Sequence, residues 1–363
     1  MAKNIVICCD GTGEKLLGPH PSNVVKLYEA LSKSAGQVTY YHPGIGTAAA
    51  PGARGWIARQ WTRLLGLAFG YGLEDNVADA YRFLMQQFQP GDQVFLFGFS
   101  RGAYTVRTLS GLLHFVGLLN RGDEARVSEV IRLLKSPRPD FVKAGQLKAT
   151  STVNCAPRFI GVWDTVSSVG WIYNASHFPY TNAAHNPDLR TARHAVSIDE
   201  RRAFFRANLF GPPASPAQDV KEVWFAGVHT DVGGGNPEAE SGLAQVTLQW
   251  MFCEAAAAGV LFDPAPKAAL LGGAAPNVPP APTAPMHRSL VGIWLLCEIW
   301  PKVVRTLGPD GRWRSEIRLN LGRRREIPAG CSVHGSVEQR MADPGLHYRP
   351  PNLPATRRVD TQC

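Results

Sequence analysis

Apolar residues along the chain fall into short unbroken runs that alternate with stretches of helical spacing. Residues 4–9 (NIVICC) form one such run, which stops at Asp10, Gly11, Thr12 and Gly13, a turn cluster at the mouth of a strand. Residues 37–41 (QVTYY) predict a second strand, halted by HPGIG. Between 73 and 88, Val77, Tyr81, Leu84, Met85 and Phe88 recur at helical intervals, and Pro90 and Gly91 close the element. Residues 94–97 are apolar without alternation, the pattern of a strand buried on both faces. Val106, Leu109, Leu113 and Val116 predict a helix over 104–119. Two further strand-like runs, 159–163 (FIGVW) and 223–228 (VWFAGV), each end in a polar residue, and a helix over 242–257 follows the second.

This order of elements, with short apolar strands, predicts an α/β fold: a mostly parallel, doubly wound sheet presenting polar residues at its strand ends. One domain over 1–363 accommodates the chain, with insertions at about 120–155 and 170–220. A Pro/Ala-rich stretch at about 261–286 reads as a flexible surface loop, and a basic tail covers about 342–363. No internal repeat is found.

The composition, 45% hydrophobic and 18% charged, excludes intrinsic disorder. No signal or transit peptide is visible at the Met1 end, and the apolar run at 290–299 is about half of what a bilayer span requires. The expected localisation is therefore cytoplasmic, or outside the cell by a route that uses no signal peptide, and no transmembrane segment is expected. Seven cysteines without a CxxC pair read as reduced and buried. The net charge is +9, and residues 301–363 hold 12 basic against 6 acidic side chains. Arg323, Arg324 and Arg325 in that region form a basic surface that could face an anionic partner such as a membrane. Nucleic-acid binding is not expected, since the basic residues lack a recognised motif or an aromatic platform.

Gly98, Phe99, Ser100, Arg101 and Gly102 spell G-x-S-x-G. Such a motif is weak alone, but this one sits between a buried strand and an amphipathic helix, the arrangement that lifts a serine hydroxyl above a sheet. A serine needs a histidine base, itself oriented by a carboxylate. Asp164 directly follows FIGVW and His229 directly follows VWFAGV, in the chain order serine, acid, histidine. Asp231 is the second candidate acid and His334 the second candidate base. The backbone N–H of Arg101, with Gly11 and Thr12 after the first strand, is the candidate oxyanion hole. Asp10 is expected to hold that loop by accepting from its amides.

The stretches CCDGTG, YYHPGIGT, FGYGLEDNVADAYRFL, PGDQVFLFGFSRGAYTVRTLSGLL, FIGVWDTVSSVG, ARHAVSIDERR, VWFAGVHTDVGGG and VHGSVEQRM span roughly residues 4–341. In order, they resemble successive blocks of the type VI secretion phospholipase-effector-like catalytic domain family. The resemblance implies an α/β-hydrolase fold, a triad on Ser100, Asp164 and His229, and cleavage of phospholipid acyl esters. It also implies that export would need no signal peptide. The expected function is thus a serine esterase or lipase acting through an acyl-enzyme, without cofactor or metal. An acyltransferase or thioesterase with the same triad, or a non-catalytic binding module on the same scaffold, are the alternatives. Trp294, Leu295, Ile299 and Trp300 could form an amphipathic element for lipid access, or an ordinary core helix. Asp199, Glu200, Arg201 and Arg202 read as an intramolecular ion-pair network.

Overall fold

The computed structural model describes residues 2–11, 18–44, 72–136, 140–150, 152–166, 180–273, 275–299, 301–307 and 313–362. Its centre is an eight-stranded sheet built from β1 (Asn4–Cys9), β2 (Gln37–His42), β3 (Gln93–Phe99), β4 (Phe159–Trp163), β5 (Thr191–Ser197), β6 (Asp219–Phe225), β7 (Ser332–His334) and β8 (Arg358–Asp360). The spatial order is β8-β7-β6-β5-β4-β3-β1-β2, and each neighbouring pair is parallel. Every strand therefore delivers its carboxyl end to the same edge. The order reverses between β1 and β3, the switch point where α/β sheets open a crevice for ligands.

The apolar runs are continuous because both faces of the sheet are covered. Ile5, Ile7 and Cys9 of β1 pack with Val94 and Leu96 of β3 under α2 (Leu73–Gln87) and α3 (Arg101–Phe115). The alternate residues Val6, Cys8, Phe95, Phe97 and Phe99 meet α1 (Asn23–Ala30) and α5 (Gly242–Ala257) on the other face. Just before α5 in sequence, and packed against it, lies the one-turn α4 (His229–Gly233).

Several expected boundaries shift. The strand read at 223–228 runs instead from Asp219 to Phe225, because the chain turns at Gly227 with φ 116°. Within the presumed insertion 170–220 lies β5, an interior strand of the sheet, and within the presumed tail lies β8, its edge. The segment 120–155 is a helical excursion carrying Val127–Lys135 and Phe141–Thr150, closed at its base where Leu118–Leu119 pairs with Thr152–Val153. The Pro/Ala-rich segment is pinned: Ala281 N donates to Gly242 O, and Arg340 donates to the carbonyls of Pro282 and Ala284. Cys8, Cys9, Cys155 and Cys331 are free thiols. Cys253 is disulfide-bonded, which corrects the reading of all seven as reduced. Among the described residues no helix is long and apolar enough to cross a membrane.

Candidate active site

The turn after β3 is forced by two close approaches. A Cβ on Gly102 would lie 2.1 Å from the Cys9 carbonyl oxygen, and one on Gly98 would lie 2.5 Å from the Gly102 carbonyl oxygen. Side chains at these positions would push α3 off the sheet. Ser100 between them takes φ 58° and ψ −118°, a backbone conformation that non-glycine residues rarely adopt. Its N–H donates to Trp163 O at 3.1 Å, which ties the turn to the end of β4. The side chain thus stands at the start of α3, where the helix dipole favours negative charge.

One strand over, Asp164 leaves β4 with φ 39° and is fully buried. Its Oδ2 lies 2.6 Å from His229 Nδ1. Its Oδ1 accepts from Ser197 N at 2.9 Å, and Arg325 grips both oxygens, Nη1 to Oδ1 at 2.5 Å and Nη2 to Oδ2 at 3.0 Å. Burial alone would push this carboxyl up, but Arg325 and His229 outweigh it and hold it well below the usual carboxylate range. His229 opens α4, and its ring contacts two aromatic rings, Phe99 at 4.6 Å and Phe205 at 4.8 Å. Phe99 directly precedes Ser100, so the imidazole lies beside the serine turn. Burial pushes the imidazole below its ordinary value, against the pull of Asp164.

A profile for the type VI secretion Tle1-like phospholipase effector catalytic domain matches residues 3–254. The chain belongs to this family. It is accordingly a hydrolase of the lipase and phospholipase kind. It is similar to the uncharacterized protein YEL023C of Saccharomyces cerevisiae, 25% identical over 97% of this chain and 80% of that protein. A crystal structure of an uncharacterized protein from Pseudomonas aeruginosa aligns with 20% identity and TM-score 0.43, over 73% of this chain and 47% of the solved one.

Ser100, Asp164 and His229 all fall inside the region matched to the phospholipase effector domain, whereas His334 and Arg325 lie beyond it. Asp231 turns away from the histidine ring: its carboxylate accepts from Val228 N at 3.0 Å and meets His287 Nδ1 at 2.6 Å. His334 caps α7 (Gly335–Ala342), with Nδ1 on Ser336 Oγ at 2.9 Å and its ring stacked on Phe225. Asp10 is buried and takes Gly11 N at 2.7 Å, Ser22 Oγ at 2.5 Å and Tyr41 OH at 3.0 Å. Burial lifts its carboxyl to about 6 even so. The Gly11 N–H, one of the candidate oxyanion donors, thus already has an acceptor in Asp10 Oδ1. Thr12 lies outside the described residues, as does Trp300.

Sequence reasoning missed three neighbours. Arg325 was read as one of three surface arginines, yet it is 8% exposed and turned onto Asp164. Glu200 makes the expected ion pair, with Arg202 at 2.9 Å, and its place at this site is what was missed: it also accepts from His229 N at 3.2 Å. Burial would raise its carboxyl, but Arg202, His229 and Arg325 hold it at about 2. His194, fully buried, accepts from Thr165 N through Nε2 at 3.0 Å, so its Nδ1–H faces Glu222 at 3.1 Å and the ring is neutral. Among the described residues, no group of three His, Cys, Asp or Glu is arranged to hold a metal ion.

Proposed function

We propose that the chain is a serine hydrolase that cleaves the acyl esters of lipids through an acyl-enzyme. The observation that carries this reading is the 2.6 Å contact of His229 Nδ1 with Asp164, beside a serine held at φ 58° on the adjoining strand end. A carboxylate on Nδ1 fixes the tautomer that leaves Nε2 free to accept a proton. Ser100 Oγ attacks the ester carbonyl as His229 takes its proton, and Asp164 steadies the imidazolium. The oxyanion develops at the start of α3, where the Arg101 N–H and the helix dipole oppose it. His229 then protonates the leaving alcohol, and water resolves the acyl-serine by the reverse sequence.

The substrate we favour is lipid at an anionic surface. Of the eleven exposed large apolar side chains among the described residues, seven lie between Val291 and Leu321. Leu295, Leu296 and Ile299 belong to α6 (Ile293–Glu298) and its end, and Ile317 and Leu321 to the following segment. Buried Glu298 joins the two pieces by accepting from Asn320 Nδ2 at 2.5 Å and Gly322 N at 2.9 Å. Residues 287–325 carry nine Lys and Arg against three Asp and Glu. An apolar patch of this kind inserts among acyl chains, and the basic excess along this stretch of sequence suits anionic headgroups.

The test is a fluorophosphonate probe followed by a panel of lipids and soluble esters. Labelling and turnover are expected in the wild type and not in Ser100→Ala. Equal labelling of both would remove Ser100 from the role.

A further inference from the structure

Asp164 has no spare lone pair. Its two oxygens take His229 Nδ1, Ser197 N and both terminal nitrogens of Arg325, which accounts for the four acceptor positions of a carboxylate. Arg325 is fixed in turn: Nη1 donates to Ser197 O at 3.1 Å and Ser197 Oγ at 2.8 Å, and Nη2 donates to Phe205 O at 2.5 Å. Its own carbonyl accepts from Asn352 Nδ2 at 3.1 Å. The guanidinium therefore links the acid to the end of β5 and to the loop whose Phe205 ring stands against His229. A planar fork suits this bidentate seat in a way no ammonium can.

The charge matters as much as the geometry. A buried aspartate facing an imidazole favours the protonated ring, which is of no use as a base. Facing His229 are the carboxylates of Asp164 and Glu200, the second behind its backbone N–H. Opposing them are two cations, Arg325 on Asp164 and Arg202 on Glu200. Asp231, two residues on, is turned to Val228 N and His287, and His194 beside Thr165 is neutral. The two acids that would charge the base are thus each matched by a guanidinium.

We propose that Arg325 is a positioning residue of the triad, which locks the Asp164 carboxylate against His229 and offsets part of its charge, so that the base stays neutral at lower pH than an aspartate alone would permit. This rests on the triad reading above, and it assigns a function to a segment beyond the matched residues 3–254.

The full chain should be compared with Arg325→Gln and Arg325→Lys, reading kcat/KM on a soluble ester from pH 4.5 to 9. Removing the cation should move the acidic limb of the Arg325→Gln profile upward by about half to one pH unit and lower the plateau about tenfold. Arg325→Lys keeps a cation without the fork, so its plateau should fall while its acidic limb stays near that of the wild type. A folded Arg325→Gln whose acidic limb does not move would overturn the proposal. Should that variant fail to fold, Arg325→Lys decides: a lowered plateau with the acidic limb of the wild type supports the proposal, and an unchanged plateau overturns it. Fluorophosphonate labelling separates the two readings. Loss of Ser100-dependent labelling in the wild type would sink the triad itself, whereas labelling with an unmoved limb would remove only Arg325.

Discussion

The Phe205 ring stands edge-on to the His229 imidazole, centroids 4.8 Å apart and planes at 69°. On its other flank Phe205 carries Trp294 at 5.3 Å, and the Arg202 guanidinium lies over both rings. The exposed apolar patch on α6 is therefore continuous with the candidate base through two aromatic side chains.

That continuity predicts how surface docking and chemistry separate. Leu296→Glu combined with Ile317→Glu places two carboxylates on exposed positions that touch neither Ser100, Asp164 nor His229. Binding to vesicles rich in phosphatidylglycerol, measured by co-sedimentation, should fall at least tenfold, since each replacement both removes apolar area and adds repulsion. Turnover of a soluble short-chain ester should stay within about twofold of wild type, surface changes of this kind being nearly neutral for the fold. Unchanged vesicle binding would show that lipid meets the protein elsewhere.

Two aspartates near the histidine should respond very differently. In Asp164→Asn, the amide can no longer hold the correct imidazole tautomer, and turnover should fall about 10⁴-fold. Arg325 would also be left facing a neutral group, at a cost of about 3–5 kcal/mol of stability, visible as a lowered Tm. Asp231→Asn should lose no more than about tenfold in rate, because its carboxylate serves Val228 N and His287. A reversal of these two rates, measured on one soluble ester, would move the acid to Asp231.

Gly102 is fixed by backbone and not by chemistry. In Gly102→Ala the new methyl group would fall 2.1 Å from Cys9 O and 2.5 Å from Asp10 O, where no flexible side chain can yield. The helix would have to shift, costing about 3 kcal/mol. Thermal melting should show a clear loss of stability along with lost Ser100 labelling. A wild-type Tm in this variant would contradict the packing described at the turn.

The sheet and the candidate site were legible because buried parallel strands write themselves as unbroken apolar runs, and Ser100 and Asp164 follow directly on β3 and β4, with three residues between β6 and His229. Residues 4–9, 159–163 and 242–257 match β1, β4 and α5 residue for residue. What stayed hidden shares one cause, burial of charge. Strand β5 reads TARHAVS, and its interior Arg193 and His194 break the apolar pattern. The fold satisfies them with partners distant in sequence: Glu254 at 2.5 Å for the arginine and Glu222 at 3.1 Å for the histidine. Arg325 was masked by Arg323 and Arg324, because three identical neighbours give no sign of which one turns inward.

His287 offers a last test, of stability against pH. Its Nδ1 lies 2.6 Å from Asp231 and its Nε2 2.9 Å from Glu240, so both ring nitrogens face carboxylates. Burial pushes the imidazole down, but the two acids outweigh it and raise it above the ordinary histidine value. A histidine raised by folding contributes stability in full below its unfolded value of about 6.5, and loses it as pH climbs through the folded value. The Tm of the wild type should therefore exceed that of His287→Gln at pH 5.5 to 6, and the gap should narrow toward pH 9. The carboxylate that holds this ring also accepts from Val228 N, directly before His229, so hydrogen exchange in 228–235 should quicken over the same range. A Tm gap of constant size from pH 6 to 9 would mean that His287 packs against the loop without ever carrying the charge that its two partners invite.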